Sequence, residues 1–317
     1  MFTTPVVYII FNRPQLTSET FASIRAQSPA QLFIIADGPR PGHPTDVDRC
    51  REVREIVGNI DWPCEVFRNF SDKNLGCKQR MTTGLDWVFT HVERAIILED
   101  DCLPEPSFYK YCSELLATYE KDNRVGMISG NNFNTALYDA DLSYSFSRHG
   151  LIWGWATWKR AWDEYLNDHR FSKNEIYLLK ANISQNRHFV DYWWNGACAA
   201  IQGNLDTWDY LWGVTRYRNS FFVIRPKVNL VANIGFGANA THTGGEANKL
   251  YVTTEAIKFP LKHPNIFVPD RISDDALEIH LAGEPRKRDI LSNLSKIKLY
   301  IIKLLMRLRL SFGATET

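Results

Sequence analysis

Two patterns alternate through the first hundred residues. Short runs with an apolar centre, "VVYIIF" (6–11), "QLFIIADG" (31–38) and "RAIILEDD" (94–101), together with the more mixed "CEVFRNF" (64–70), read as strands. Between them, residues 15–27, a polar stretch running to about 58, and residues 76–92 carry helical spacing. Continuous apolar runs suit strands buried on both faces, and strand–helix alternation suits parallel pairing. The expected fold class is therefore α/β, with a mostly parallel central sheet flanked by helices. In such sheets ligands bind beyond the carboxyl ends of the strands. Arg13, Asp37 and the triplet Glu99-Asp100-Asp101 all fall at such ends.

The second half is dense in tryptophan, in "LIWGWATWKRAW", "DYWWNG" and "DTWDYLWG". Trp158 and Trp162, at helical spacing, read as core. Trp153 and Trp155, in the glycine-bearing "IWGW", are candidates for a sugar-stacking wall, with packing the alternative for each. A polar connector follows Pro264. From residue 289 the tail "DILSNLSKIKLYIIKLLMRLRL" has helical periodicity. At about 100° per residue, Leu294, Ile297, Ile301, Leu304, Leu305 and Leu308 share one face, and Lys296, Lys303 and Arg307 gather on another. A basic amphipathic helix of this kind rests on an anionic membrane surface or docks on its own domain. The expected organisation is a domain over 1–263, a connector over 264–288 and a C-terminal helix over 289–317.

Composition narrows the function classes. A chain of 317 residues with net charge +1 has core enough for a large domain and no global attraction to nucleic acid. Its six cysteines lack CxxC spacing, which argues against a zinc site or disulfide scaffold and fits a reducing compartment. The opening "MFTTPVVYIIF" lacks a basic flank and reads as a first core strand rather than a signal peptide. No uncharged apolar stretch is long enough to cross a bilayer. The expected location is cytoplasmic, with peripheral contact at the inner face of the plasma membrane if the tail lies on lipid.

Adjacent carboxylates at the end of a buried strand repel one another, and a hard divalent cation offsets that cost. The triplet is thus a candidate site for manganese or magnesium, against the plainer reading of a solvated acidic loop. In "NLGCKQR" (74–80), Asn74 and Gly76 open a helix whose free N–H groups would face an anion, with Lys78 and Arg80 adding positive charge. The "GFGANA" at 235–240 lies far from the first strand and is not a dinucleotide fingerprint. P-loop and GxSxG patterns are absent. His242, on the polar loop "NATHTGG", matters only if the fold returns it to the carboxylates.

In this order, "IIFNRP", "IIADGP", "NLGCKQR", "IILEDDCLPEPSFYKY", "GWATWKRAW", "TWDYLW" and "VIRPKVNLVANIGFGANATH" resemble the GT-A glycosyltransferases. Within that fold family they are similar to the N-acetylglucosaminyltransferases that begin complex N-glycan branching and to bacterial hemolysin-like nucleotide-diphospho-sugar transferases. The resemblance spans roughly residues 4 to 250. It implies a Rossmann-like GT-A sheet and a role for each matching position. Asp101 would bind Mn2+ (or Mg2+), with His242 approaching the metal or diphosphate. Asp100 would lie near the donor ribose and Glu99 near the sugar. Asn12 and Arg13, in "FNRP", and Asp37 would contact the donor, and Asp209 would be the catalytic base. The family carries two adjacent acids where this chain has Asp209 followed by Tyr210, so Asp206 is the fallback.

The implied activity is inverting, metal-dependent transfer of a sugar from a nucleotide diphosphate, UDP-sugars favoured, to a glycan or glycolipid hydroxyl. The alternatives are a nucleotidyltransferase that makes the sugar nucleotide, or a non-catalytic module that holds a nucleotide or sugar. The N-terminal "IIFNRPQ" lacks the Gly-rich signature that the nucleotidyltransferase reading requires.

Overall fold

The computed structural model describes residues 2–133, 139–165, 171–235 and 252–283. The first half is a strict alternation: β1 (Val6–Ile10), α1 (Pro14–Gln27), β2 (Gln31–Ala36), α2 (Asp46–Ile56), β3 (Glu65–Phe70), α3 (Cys77–Val88) and β4 (Arg94–Glu99). Pro14 occupies the first turn of α1, where its missing N–H costs nothing. There follow β5 (Cys102–Pro104), α4 (Ser107–Thr118), β6 (Val125–Ser129), β7 (Tyr144–Ser147), β8 (Trp155–Trp158) and α5 (Lys159–Trp162). Then come α6 (Lys173–Ile183), α7 (Arg187–Ile201), α8 (Asp209–Arg218), β9 (Phe222–Pro226), β10 (Val231–Asn233) and α9 (Arg271–Ala282).

Eight strands form one sheet in the order β3-β2-β1-β4-β8-β6-β9-β7. Neighbours from β3 to β4 run parallel, as do β6 and β9. β8 is antiparallel to both β4 and β6, and β7 is antiparallel to β9. The sheet is therefore mostly parallel, with two strands inserted against the grain. β1 lies between β2 and β4, so the winding direction changes there and opens a crevice at the strand ends.

Alternate strand residues feed opposite layers. Val6, Tyr8, Leu32, Ile34, Ile96 and Leu98 pack under α1 and α4. Val7, Ile9, Phe33, Ile35 and Ile97 face the other layer, which holds Trp155, Trp162, Trp208 and Trp212.

Residues 264–288, expected as a connector, contain α9. This helix buries acids more than apolar side chains. Asp274 accepts from Ser147 Oγ and from Arg148 N at 3.1 Å, and Glu278 takes His149 Nε2 and Ser184 Oγ, each at 2.8 Å. Its attachment is polar, so an apolar periodicity did not announce it. No helix among the described residues is long and apolar enough to cross a membrane. The expected C-terminal helix (289–317) and His242 lie outside the described residues.

Candidate active site

The strand ends at β1, β2 and β4 open into one cleft of about 390 Å³. Its acidic part is built by the turn from β4 into β5. β5 pairs antiparallel with β10, and Ile234 N donates to the carbonyl of Asp101 at 2.8 Å. Gly235 closes against the acids so tightly that a Cβ there would lie 2.5 Å from Asp101 Oδ2. Asp100 is buried and turned back, accepting from Phe11 N at 3.3 Å, while Thr20 Oγ1 donates to its carbonyl at 3.0 Å. Arg13, at the head of α1, forks across the pair: Nη2 donates to Asp100 Oδ1 and Nη1 to Asp101 Oδ2, the latter at 3.0 Å.

Burial pushes the Glu99 carboxyl up to about 8, reinforced by the charges of Asp101 and Asp100. Burial likewise raises Asp100 to about 6, against the opposing pull of Arg13. Desolvation thus outweighs the pull of the one guanidinium at both acids.

Asp37, at the end of β2, is buried beneath the loop before α3. Its oxygens accept from Gly38 N, Leu75 N, Gly76 N and Asn74 Nδ2 at 2.9–3.2 Å. Burial raises its pKa even against these donors. It lines the cleft while holding the 74–76 loop in place. Arg80, also in the lining, is buried and donates to Asn69 Oδ1 at 2.8 Å. Asn12 does not face the cleft. It donates to the buried carboxylate of Asp46 at 2.8 Å, which also grips Arg40 through Nε at 2.7 Å and Nη2 at 3.1 Å. Arg40 holds Asp46 down at about 2. Its guanidinium lies 5.4 Å from the Phe11 ring, and both line the cleft.

The N-terminus of α3 departs from expectation. Asp206 occupies it, accepting from Cys77 N at 2.7 Å and Lys78 N at 3.0 Å. The carboxylate satisfies two of the helix's free donors and complements its dipole, so these groups are already engaged. Gly76 enters the helix with φ 80°, and a Cβ there would stand 2.5 Å from Asp206 Oδ2, which accounts for glycine at this turn. Lys78 turns its ammonium to the carbonyl of Ala200 at 3.2 Å. It is a tie between α3 and α7 rather than a group in the cleft lining.

Asp209 opens α8, accepts from Thr207 Oγ1, and lines the cleft. Its charge reaches Glu99 and Cys77. Burial, reinforced by these acids, drives the Cys77 thiol far above its usual range, so it is held protonated. Trp153 lines the cleft, its ring edge-on to Phe133 at 5.3 Å. Trp155 does not. It is fully buried, stacked on Trp208 at 5.3 Å and beside Trp212 at 5.8 Å. Trp155 lies in β8, which is buried along its whole length, whereas Trp153 precedes the strand across Gly154 at φ 66°; Trp155 is therefore removed as an acceptor-stacking residue.

Of the expected site residues, Arg13, Asp37, Arg80, Glu99, Asp100, Asp101, Trp153 and Asp209 line one cleft, and Asn12, Lys78 and Trp155 do not. Arg40 and Phe11 were not anticipated. Arg40 sits inside a Pro/Gly-rich loop with no motif of its own, and Phe11 reads as the last residue of an apolar strand. Among the described residues no three His, Cys, Asp or Glu side chains converge to hold a metal. The expected metal site instead pairs Asp101 with His242, outside those residues.

No family model matches the chain, and no curated protein matches it. Solved structures that resemble it include a UDP-glucose pyrophosphorylase complexed with UDP-glucose, at 9% identity and TM-score 0.34, covering 55% of this chain and 83% of that one. An inositol-1-phosphate CTP transferase from T. maritima aligns at 11% identity and TM-score 0.36, over 71% of this chain and 86% of that one. A 4-diphosphocytidyl-2C-methyl-D-erythritol synthase from Anaerococcus prevotii aligns at 7% identity and TM-score 0.32, over 55% and 82%.

Proposed function

We propose that this chain is an inverting glycosyltransferase that moves a sugar from a nucleotide diphosphate, UDP-sugars favoured, to a hydroxyl of a glycan or glycolipid. One observation carries the reading. A single strand-end cleft holds the acid pair Asp100–Asp101 under Arg13, together with Asp209 at the head of a separate helix. Arg13, Arg40 and Arg80 supply positive charge for a diphosphate, and Phe11 beside Arg40 offers an apolar face for a base. Trp153 supplies an aromatic wall for the acceptor.

The chemistry needs one proton acceptor and a stabilised leaving group. The acceptor oxygen bonds to the anomeric carbon as that carbon's bond to the diphosphate oxygen breaks, leaving the electron pair on the diphosphate. The acceptor proton passes to the Asp209 carboxylate. Cys77, held protonated, is no nucleophile, which favours single displacement. Asp101 is the residue that would hold Mn2+ or Mg2+, its hard oxygen donors and the cluster's excess negative charge fitting such an ion. When bound, that ion offsets charge developing on the leaving diphosphate.

Nucleotidyl transfer is the second reading, because an acid-lined, arginine-rich cleft also suits a nucleoside triphosphate. Against it, the turn between β1 and α1 is Phe11-Asn12-Arg13 and contains no glycine. The two readings separate by product. Incubation with UDP-sugars, Mn2+ and candidate acceptors should release UDP. Release of pyrophosphate from UTP plus a sugar phosphate, with no UDP from any UDP-sugar, overturns the proposal. Inertness in both assays leaves the binding module.

A further inference from the structure

Arg13 is held where a metal ion would have to work. Its fork takes Asp100 Oδ1 and Asp101 Oδ2, and Phe11 N takes the other oxygen of Asp100. Among the described residues, Asp101 Oδ1 meets the Cys102 thiol, at 3.5 Å. Three of the four oxygens of the pair are therefore engaged by N–H donors. Gly235 packs against the same fork, since a Cβ there would stand 2.5 Å from Asp101 Oδ2 and 3.1 Å from Arg13 Nη1. A divalent cation entering this corner meets a guanidinium charge a few ångströms away, in a partly buried setting where repulsion is weakly screened.

We propose that Arg13 is a resident counter-ion that ties metal loading to donor binding. This rests on the glycosyl-transfer reading above. Without donor, the guanidinium neutralises the acids and competes with the metal. A diphosphate gives the fork a second anionic partner of matching geometry and frees Asp101 Oδ2. Metal and donor then load together, each raising the other's affinity by the same factor. Arg13 acts here as a positioning residue, and its side chain has the freedom to shift because it borders the open cleft.

The test is titration of Mn2+ into the full chain, alone and with saturating UDP, followed by calorimetry or by the spin resonance of free Mn2+. UDP contributes oxygens of its own, so the informative quantity is how the ratio of the two affinities changes on substitution. Arg13→Gln should tighten Mn2+ binding without UDP about tenfold, the worth of one charge-assisted hydrogen bond, and should lower the ratio by at least that factor. Arg13→Lys, which keeps the charge but cannot fork, should lower the ratio by less, and it decides the matter if Arg13→Gln does not fold. A residue that merely braced the fold would weaken both affinities together. Mn2+ binding with an unchanged ratio in the folded variants overturns the role of Arg13 alone. Absence of Mn2+ binding in every form, with or without UDP, overturns the metal-dependent reading as well.

Discussion

Asp206 and Asp209 stand three residues apart, yet the proposed mechanism gives them different work, and substitution should separate stability from rate. Asp206→Ala removes both acceptors from the head of α3. Losing one cap costs about 1 kcal/mol, and losing a carboxylate from a helix N-terminus adds roughly 0.3–1 kcal/mol. The sum, about 1–2 kcal/mol, lowers Tm by roughly 2–8 °C at the sensitivity of large domains. Donor turnover should fall less than about tenfold, since Asp206 lines the cleft but both its oxygens are already engaged by α3 N–H groups. Asp209→Asn keeps an oxygen for Thr207 Oγ1 and the side-chain volume, so Tm should move less than in Asp206→Ala. It removes the proton acceptor, which costs on the order of a hundred- to ten-thousand-fold in rate. Thermal melts followed by circular dichroism, run beside a UDP-release assay and donor titrations, give all three quantities. If Asp206→Ala loses transfer at unchanged Tm while Asp209→Asn transfers normally, the base is Asp206 and the capping argument fails.

Asp101→Asn should abolish the Mn2+-dependent gain in donor affinity while the protein stays folded, and equal donor binding with Mn2+ and with chelator, at the level wild type reaches with Mn2+, would refute its role. In chelator, stability should fall as pH rises from about 5 to 8. Unfolded carboxylates release protons near pH 4, whereas folded Glu99 and Asp100 hold theirs to about 8 and about 6, so the native state binds more protons in that interval. Saturating Mn2+ should flatten this slope, and a flat profile in chelator would contradict it. Asp46 works oppositely: its contribution, present above about pH 4, is lost as pH drops through about 2. Trp155→Ala should cost about 3–5 kcal/mol by emptying a core site, whereas Trp153→Ala should mainly raise the acceptor KM; the reverse outcome in melts and kinetics would exchange their roles.

The parallel half of the sheet was legible because "VVYIIF", "LFIIA" and "AIIL" run without a polar break, a signature few other settings produce. The same logic placed Arg13, Asp37 and the acid triplet at strand ends. What lay between tryptophans was harder to read. β8 is four residues long and starts at Trp155, after Gly154 at φ 66°, so which of Trp153 and Trp155 faces the cleft depends on where the strand begins, which spacing does not fix. The helix-capping role of Asp206 joins residues 129 positions apart and leaves no local trace. α9 escaped because its buried face holds Ser273, Asp274 and Glu278 where a periodicity argument looks for leucine. Arg40 was missed for a similar reason, being fixed by Asp46, whose own burial nothing nearby foretells.

Trp155 pairs across the sheet with Ile97, two residues before Glu99, and its ring stacks on Trp208, the residue before Asp209. The separation between the acid cluster and Asp209 is therefore gauged by indole rings inside the core, not by loops at the rim. For anyone redirecting this scaffold toward other sugars, that divides the molecule into a fixed chassis and an adjustable mouth. Libraries at Ile152, Trp153, Thr207 and Asn233 can reshape what enters. Altering Trp155, Trp162, Trp208 or Trp212 would instead shift the two ends of the reaction relative to each other.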